Sequence, residues 1–182
     1  EEGRKQPAPV LRNTSLQPVV GRLLHLALQT WRFPVLEAEK QFFYRAALDY
    51  GLVDLELSQK AVAIVMAYLQ RLREDALFSE IDQAFERHHE VPYAIEEDEA
   101  AQAGRLDILY RDARGWHIID FKTGYLETME SLTPEKTEEY RQQLSRYARA
   151  VELQLGERPS TAICFLNVGG KLVIYNFPVY AA

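Results

Sequence analysis

Asp107, Asp120 and Lys122 lie in the segment GRLDILYRDARGWHIIDFKTG and have the types and spacing for chemistry on a phosphate ester. Side chains alternate across a strand, so in GWHIIDFKT the residues Trp116, Ile118, Asp120 and Lys122 share one face, and His117, Ile119 and Phe121 the other. Asp107 stands among Leu106, Ile108 and Leu109, where an ionised carboxylate is costly unless paired or metal-bound. Hydrolysis of a phosphodiester needs hard oxygen ligands that hold Mg²⁺ or Mn²⁺ against the phosphate. It also needs a cation near the attacking water or the charge developing in the transition state. The two aspartates suit the first task and Lys122 the second. Alone, an Asp-x-Lys triplet arises by chance roughly once in 300 positions, and a salt bridge along one strand face would explain it equally well.

The elements that must bring these residues together are visible in the hydrophobic pattern. From Val19 to Trp31 apolar residues recur at three- and four-residue steps, which predicts a helix with His25 at the edge of its apolar stripe. A second helical segment is expected from about Leu36 to Leu48. A third runs from Ser58 to Arg73 with Ser58 as N-cap, and a short fourth includes Leu77, Ile81 and Phe85. After His89 the period becomes strand-like, in EVPYAIEE, GRLDILYR and GWHIIDFKT, the last two joined by a turn at Asp112 to Gly115. Pro134 fits the first turn of a long helix through Leu155, whose buried stripe would be Tyr140, Leu144, Tyr147, Val151 and Leu155, with Gly156 as its stop. TAICFLNV and KLVIYNF meet at Gly169-Gly170, a hairpin signal. Helices, three strands, a helix and two strands make an α/β (α+β) arrangement: a mixed central sheet of about five strands flanked by helices, with a helical N-terminal half.

Bulk properties narrow the class. A chain of 182 residues, 47% hydrophobic, can bury one core without staples. The single cysteine, Cys164, sits in an apolar run and reads as a small core residue. No apolar run reaches the roughly 20 residues that cross a bilayer, so a membrane partner is not expected and a bacterial cytoplasm or nucleoid is. The net charge of -6 and pI near 5.3 oppose capture of nucleic acid by the chain's own field, which suggests that something else delivers it. The chain opens on Glu1 with a polar, Pro-containing stretch. Residues 1–18 therefore read as an extended linker from a longer chain, and 19–182 as one domain.

Four short patterns occur together: Gly21-Arg-Leu-Leu-His25, Gly104-Arg-Leu-Asp107, Asp120-Phe-Lys122-Thr123-Gly124 and Gln143-Leu-Ser-Arg-Tyr147. Their types and order resemble the RecB-family nuclease domain of the PD-(D/E)XK superfamily, over roughly Val19 to Phe177. The resemblance implies a restriction-endonuclease-like core that cleaves DNA, single strands above all, by divalent-metal-dependent hydrolysis. It implies that His25, Asp107, Asp120 and the backbone carbonyl of Phe121 bind Mg²⁺ or Mn²⁺ and that Lys122 orients or activates water. Gln143 and Tyr147 would flank the site and touch the strand, on one helix face with Tyr140. It also implies a helicase domain in the same native chain, possibly with a second subunit, acting in double-strand break repair, with exonuclease action favoured over endonuclease.

Each assignment has a structural competitor. A lone helical His is more often a packing residue than a ligand, and Tyr147 lies on the core stripe in any case. Glu90 is either a further acidic group near the metal or a solvated strand end. His88 and His89 read as solvated residues, and Arg141, Arg146 and Arg149 either contact phosphates along the long helix or form a charged outer face. One cysteine cannot hold an iron–sulfur cluster, and no Walker A sequence is present to bind a nucleotide. Two other functions fit the same motifs: a nuclease fold that has lost cleavage and serves as a DNA-binding or scaffolding module, and a stand-alone restriction- or phage-type endonuclease.

Overall fold

The computed structural model describes residues 16–34, 37–97 and 100–177, so most of the expected linker lies outside the described residues. Helix α1 spans Leu16–Thr30 and buries Val20, Leu23, Leu24, Ala27 and Leu28, the spacing of one helical face. It begins three residues before Val19, with Pro18 in the first turn, where a missing N–H leaves nothing unsatisfied. The second helical segment is divided into a 3₁₀ turn, Glu37–Lys40, and α2, Gln41–Asp49.

Helix α3, Leu55–Glu74, starts earlier than expected because Asp54, not Ser58, is its cap: the Asp54 carboxylate accepts from the Leu57 amide at 2.8 Å. Ser58 is buried inside the first turn and its hydroxyl donates to the Leu52 carbonyl. Helix α4, Ala76–Asp82, stops short of Phe85, which is 73% exposed and whose amide donates to the Arg111 carbonyl as the chain enters the sheet.

Five strands follow: β1 (Glu86–Glu97), β2 (Ala100–Asp112), β3 (Gly115–Lys122), β4 (Ser160–Val168) and β5 (Lys171–Tyr175). They pair in the order β1-β2-β3-β4-β5, all antiparallel except β3 with β4. That parallel pair requires a crossover, which α5 (Pro134–Leu155) supplies. The Thr133 hydroxyl caps α5 by accepting from the Lys136 amide, and Gly156 ends it at φ 71°, a left-handed conformation in which glycine alone carries no Cβ penalty.

Alternation along the strands divides the core between two faces. Ile108, Tyr110, Ile119, Phe121 and Cys164 pack against α1 to α4; Leu109, Ile118, Ile163 and Phe165 pack against Leu144, Tyr147 and Val151 of α5. The result is a three-layer sandwich, helices on each side of a mixed sheet, in which each fully buried aliphatic or aromatic side chain contributes roughly 1.5–3 kcal/mol relative to exposure. Two further elements differ from the sequence pattern. Leu155 of the expected α5 stripe is 46% exposed and Leu153 is exposed beside it, because no layer faces the last turn; Tyr140 is only partly buried. Strand β1 begins at Glu86 and so takes in both histidines. His88 is exposed, but His89 is half-buried with its ring 5.3 Å from that of Trp31, and burial brings its pKa down to about 4.

Candidate active site

The site forms where β2 and β3 part. Their ladder ends at Ile108↔Ile119, and the next bond comes from a side chain: Asp107 Oδ2 accepts from the Phe121 amide at 2.7 Å. This bond fixes Asp107 and satisfies an amide that the parted strands would otherwise leave bare. Across the other edge of β2, Glu90 stands opposite Asp107 between the pairs His89↔Ile108 and Val91↔Leu106. Its φ is 50°, a strained conformation for a residue with a Cβ, and strain of about 1–3 kcal/mol persists where its surroundings enforce it. The strain turns the carboxylate to α1, where Glu90 Oε1 lies 3.0 Å and Asp107 Oδ1 3.4 Å from His25 Nδ1. One ligating atom from each of these three residues lies within 4.8 Å of the others.

Between Ile119 and Phe121 on β3 the pattern is different. Asp120 is 2% exposed, and its Oδ2 accepts no hydrogen bond of normal geometry but lies 2.7 Å from Lys122 Nζ, so it is charge-paired rather than free. Lys122 Nζ donates to Gln143 Oε1 at 3.1 Å, and Gln143 Nε2 reaches both Asp120 Oδ1 (3.2 Å) and the Tyr147 hydroxyl. Gln143 thus offers its oxygen to the ammonium and its nitrogen to the carboxylate, the only amide orientation that serves both. Tyr140 sits one turn away, with Lys122 Nζ 5.0 Å from its ring centre, within cation–π range.

Electrostatics set this cluster apart. Burial pushes the Asp107 carboxyl up to about 7, and the nearby charge of Asp120 adds to the shift. Asp120 is raised as well, again by burial, with Lys122 opposing. Burial disfavours a charged His25, yet Asp107, Glu90 and Asp120 outweigh it and hold the imidazole above its usual value. The cluster therefore retains protons where isolated carboxylates have lost theirs, the condition a divalent cation relieves by displacing them. Carboxylate oxygens with one imidazole are also a donor set suited to Mg²⁺ or Mn²⁺. The residues present fit such an ion.

Neighbouring residues hold the frame. The Tyr68 hydroxyl of α3 donates to the Thr123 carbonyl at 3.1 Å, directly after Lys122, and accepts from Asn167 Nδ2. A Cβ at Gly104 would meet the Tyr93 ring at 2.7 Å, and that ring packs edge-on against Tyr147 at 5.3 Å. At the glycine three residues before Asp107, a side chain would have to displace the tip of the Tyr93 ring and so disturb the tyrosine pair. Sequence alone left Glu90 open and missed Tyr68, Tyr93 and Arg105, whose guanidinium is 3.5 Å from Glu90 Oε2. Strand register was the missing signal, since it is what sets 90 against 107. Of the three arginines weighed between phosphate contact and an outer face, Arg141 pairs with Glu138 and Arg149 with Glu152.

Fold and site together define an α/β protein with two buried carboxylates joined by a partly exposed imidazole and ammonium at the parting of two strands. The chain belongs to the PD-(D/E)XK nuclease superfamily, whose model matches residues 2–178. No curated protein matches its sequence. Among solved structures it resembles one named "Putative exonuclease" from Eubacterium rectale, with TM-score 0.63 and 14% identity over 91% of this chain and 60% of that one. A Vibrio cholerae protein gives TM-score 0.38 and 13% identity over 84% of this chain and 42% of that one. At such identities the likeness concerns the fold alone, and this chain spans 60% of the length of the Eubacterium rectale protein.

Proposed function

We propose that the chain is a divalent-metal-dependent deoxyribonuclease that hydrolyses phosphodiester bonds in single-stranded DNA, acting on ends rather than internally. The observation that carries this is the buried Asp107–Asp120 pair with Lys122 2.7 Å from Asp120, joined by His25 and Glu90. In this reading His25, Asp107, Asp120, Glu90 and the Phe121 carbonyl hold Mg²⁺ or Mn²⁺. The ion, when bound, supplies Lewis-acid activation of water and neutralises charge building on the phosphate. Lys122, steadied by Asp120 and Gln143, orients the attacking water and stabilises the developing negative charge. Gln143 and Tyr147 fix the ammonium and present hydrogen-bonding groups to the strand beside it.

The finer setting is a helicase–nuclease in double-strand break repair, supported by the four-motif resemblance to RecB-type domains. The net charge of -6 agrees, since a domain whose own field repels DNA benefits from a motor that feeds it. The test is incubation of the purified chain with labelled single-stranded DNA and Mg²⁺ or Mn²⁺, beside Asp120→Ala and Lys122→Ala. Metal-dependent cleavage lost in both variants supports the assignment, and cleavage unchanged in both refutes it.

A further inference from the structure

The surface at Lys122 dips into a cavity of about 290 Å³ that opens onto the site itself, its lining including His25, Lys122, Tyr125, Leu126, Tyr140 and Phe165. Its walls are held at both ends. The Leu126 amide donates to the Asn167 carbonyl at 3.0 Å, and the Gly169 amide donates to the Leu126 carbonyl at 2.8 Å, which ties the segment after Lys122 to the far end of β4. A Cβ at Gly169, where φ is 54°, would stand 3.0 Å from the Glu127 carbonyl, so the turn that anchors this wall requires glycine. At the other end, the Thr128 and Ser131 side chains cap a 3₁₀ turn, Met129–Ser131, just before α5.

The lining mixes aromatic and aliphatic side chains with the polar groups of His25, Lys122 and Thr123. Tyr140 leans on Phe165 (ring centres 5.9 Å apart) with the Lys122 and Lys136 ammonium groups 5.0 and 5.6 Å from its ring centre. Tyr125 is 62% exposed, and among the described residues no aromatic ring or cation is stacked on it. Lys136 is already paired with Glu139 at 2.6 Å, so the outer rim has little positive charge left for an anion. The occupant that suits such a hollow is flat, polarisable and uncharged, attached to a phosphate that reaches Lys122. At 290 Å³ the space lies below the roughly 300–1,000 Å³ of pockets for drug-sized ligands, which leaves room for a single base or nucleoside.

We infer that this cavity is a nucleobase subsite: it receives the unpaired base of the nucleotide next to the scissile phosphate, stacked on Tyr125 and in contact with the Tyr140 edge. The inference rests on the nuclease reading above and deepens it. A base can enter only when it is unstacked and unpaired, so the subsite selects single-stranded or frayed DNA by shape, without sequence readout. Tyr125 is a binding residue in this scheme and takes no part in proton transfer.

The experiment avoids turnover, so that it is separate from the test of cleavage. Single strands with 2-aminopurine at successive positions are bound to the intact chain in Ca²⁺ at low salt, and fluorescence and affinity are read together. One label position should be quenched. Tyr125→Ala should relieve that quench and weaken binding on the order of tenfold, while Tyr125→Phe, which keeps the stacking face, should restore both. A strand abasic at that position should bind wild type and Tyr125→Ala alike. Equal losses on abasic and intact strands, no quenched position, or no binding of single strands would overturn the subsite. Failure of the nuclease reading would appear differently, as normal strand binding without cleavage in Mg²⁺ or Mn²⁺.

Discussion

Two clusters built from the same kinds of residue occupy opposite ends of β2 and β3, and they behave differently. At one end His117 Nε2 lies 2.7 Å from Asp112 Oδ1 and its Nδ1 2.6 Å from the Ser160 hydroxyl, while Arg114 grips both Asp112 and Glu80 at 2.7 Å. At the other end are His25, Glu90, Asp107, Asp120 and Lys122. In the first cluster Arg114 serves both carboxylates at once, with Glu80 exposed and Asp112 partly so. Arg114 beside Asp112, with His117 adding to it, holds that carboxyl well below the usual range. In the second, burial pushes the Asp107 and Asp120 carboxyls up, the one close ammonium lies against Asp120, and Arg105 reaches Glu90 only at the margin. Residue types alone would suggest a catalytic triad at the first. Charge balance makes it a staple joining β2, β3 and the start of β4, and leaves the second in need of a cation.

The largest effect expected of this contrast is on cleavage. Asp120→Ala or Lys122→Ala should reduce the rate by on the order of 10²–10³-fold or more, whereas His117→Ala and Asp112→Asn should leave kcat within about twofold. Steady-state assays on one labelled strand would decide it, and a large loss in His117→Ala would erase the distinction.

Next is the dependence on pH and metal. A carboxyl whose pKa rises on folding, from 3.8 to about 7 for Asp107, is held neutral by the fold, so folding takes up a proton. Its favourable contribution is complete below its unfolded value and is lost as pH climbs through about 7. The metal-free protein should therefore lose stability between about pH 4 and 8. Mn²⁺ should restore more near pH 8 than near pH 5.5, where a hundredfold excess over Kd stabilises by about 2.7 kcal/mol in total at the higher pH. Thermal melts with and without Mn²⁺ would show this, and in Asp107→Asn both the pH slope and the metal response should shrink.

A smaller effect separates ligand from neighbour. Glu90→Gln should weaken Mn²⁺ binding about tenfold, with kcat largely recovered at saturating metal. Calorimetric titration beside rate measurements would distinguish this from a purely structural role, which would lower Tm without moving metal affinity. The smallest effect belongs to the staple: His117→Ala should cost about 1–2 kcal/mol of unfolding free energy and leave Mn²⁺ affinity unchanged. A denaturant melt of that variant, read beside its metal titration, would test both halves.

Much of the architecture was legible before any coordinates. The α1 stripe, the β2–β3 turn, Pro134 and Gly156 bounding α5, and the Gly169-Gly170 hairpin are local signals, produced by helical period, strand alternation and turn chemistry. Where the sequence pattern failed, a competing partner won. Asp54 took the cap from Ser58, the Arg111 carbonyl drew Phe85 out of a helix, and Trp31 enclosed His89.

The same boundary runs through the site. Spacing alone places Asp120 and Lys122 on one face of β3, because strand alternation is a property of the backbone. It says nothing of Glu90 or Gln143, which approach from β1 and α5, 30 residues before and 23 after Asp120 in the chain. Their positions depend on which strands pair, in which register, and on a strained φ at Glu90 that only the assembled sheet can hold. Residue chemistry and local geometry are written in the sequence, whereas the charge imbalance that makes these residues a candidate site exists only once burial has removed water from around them.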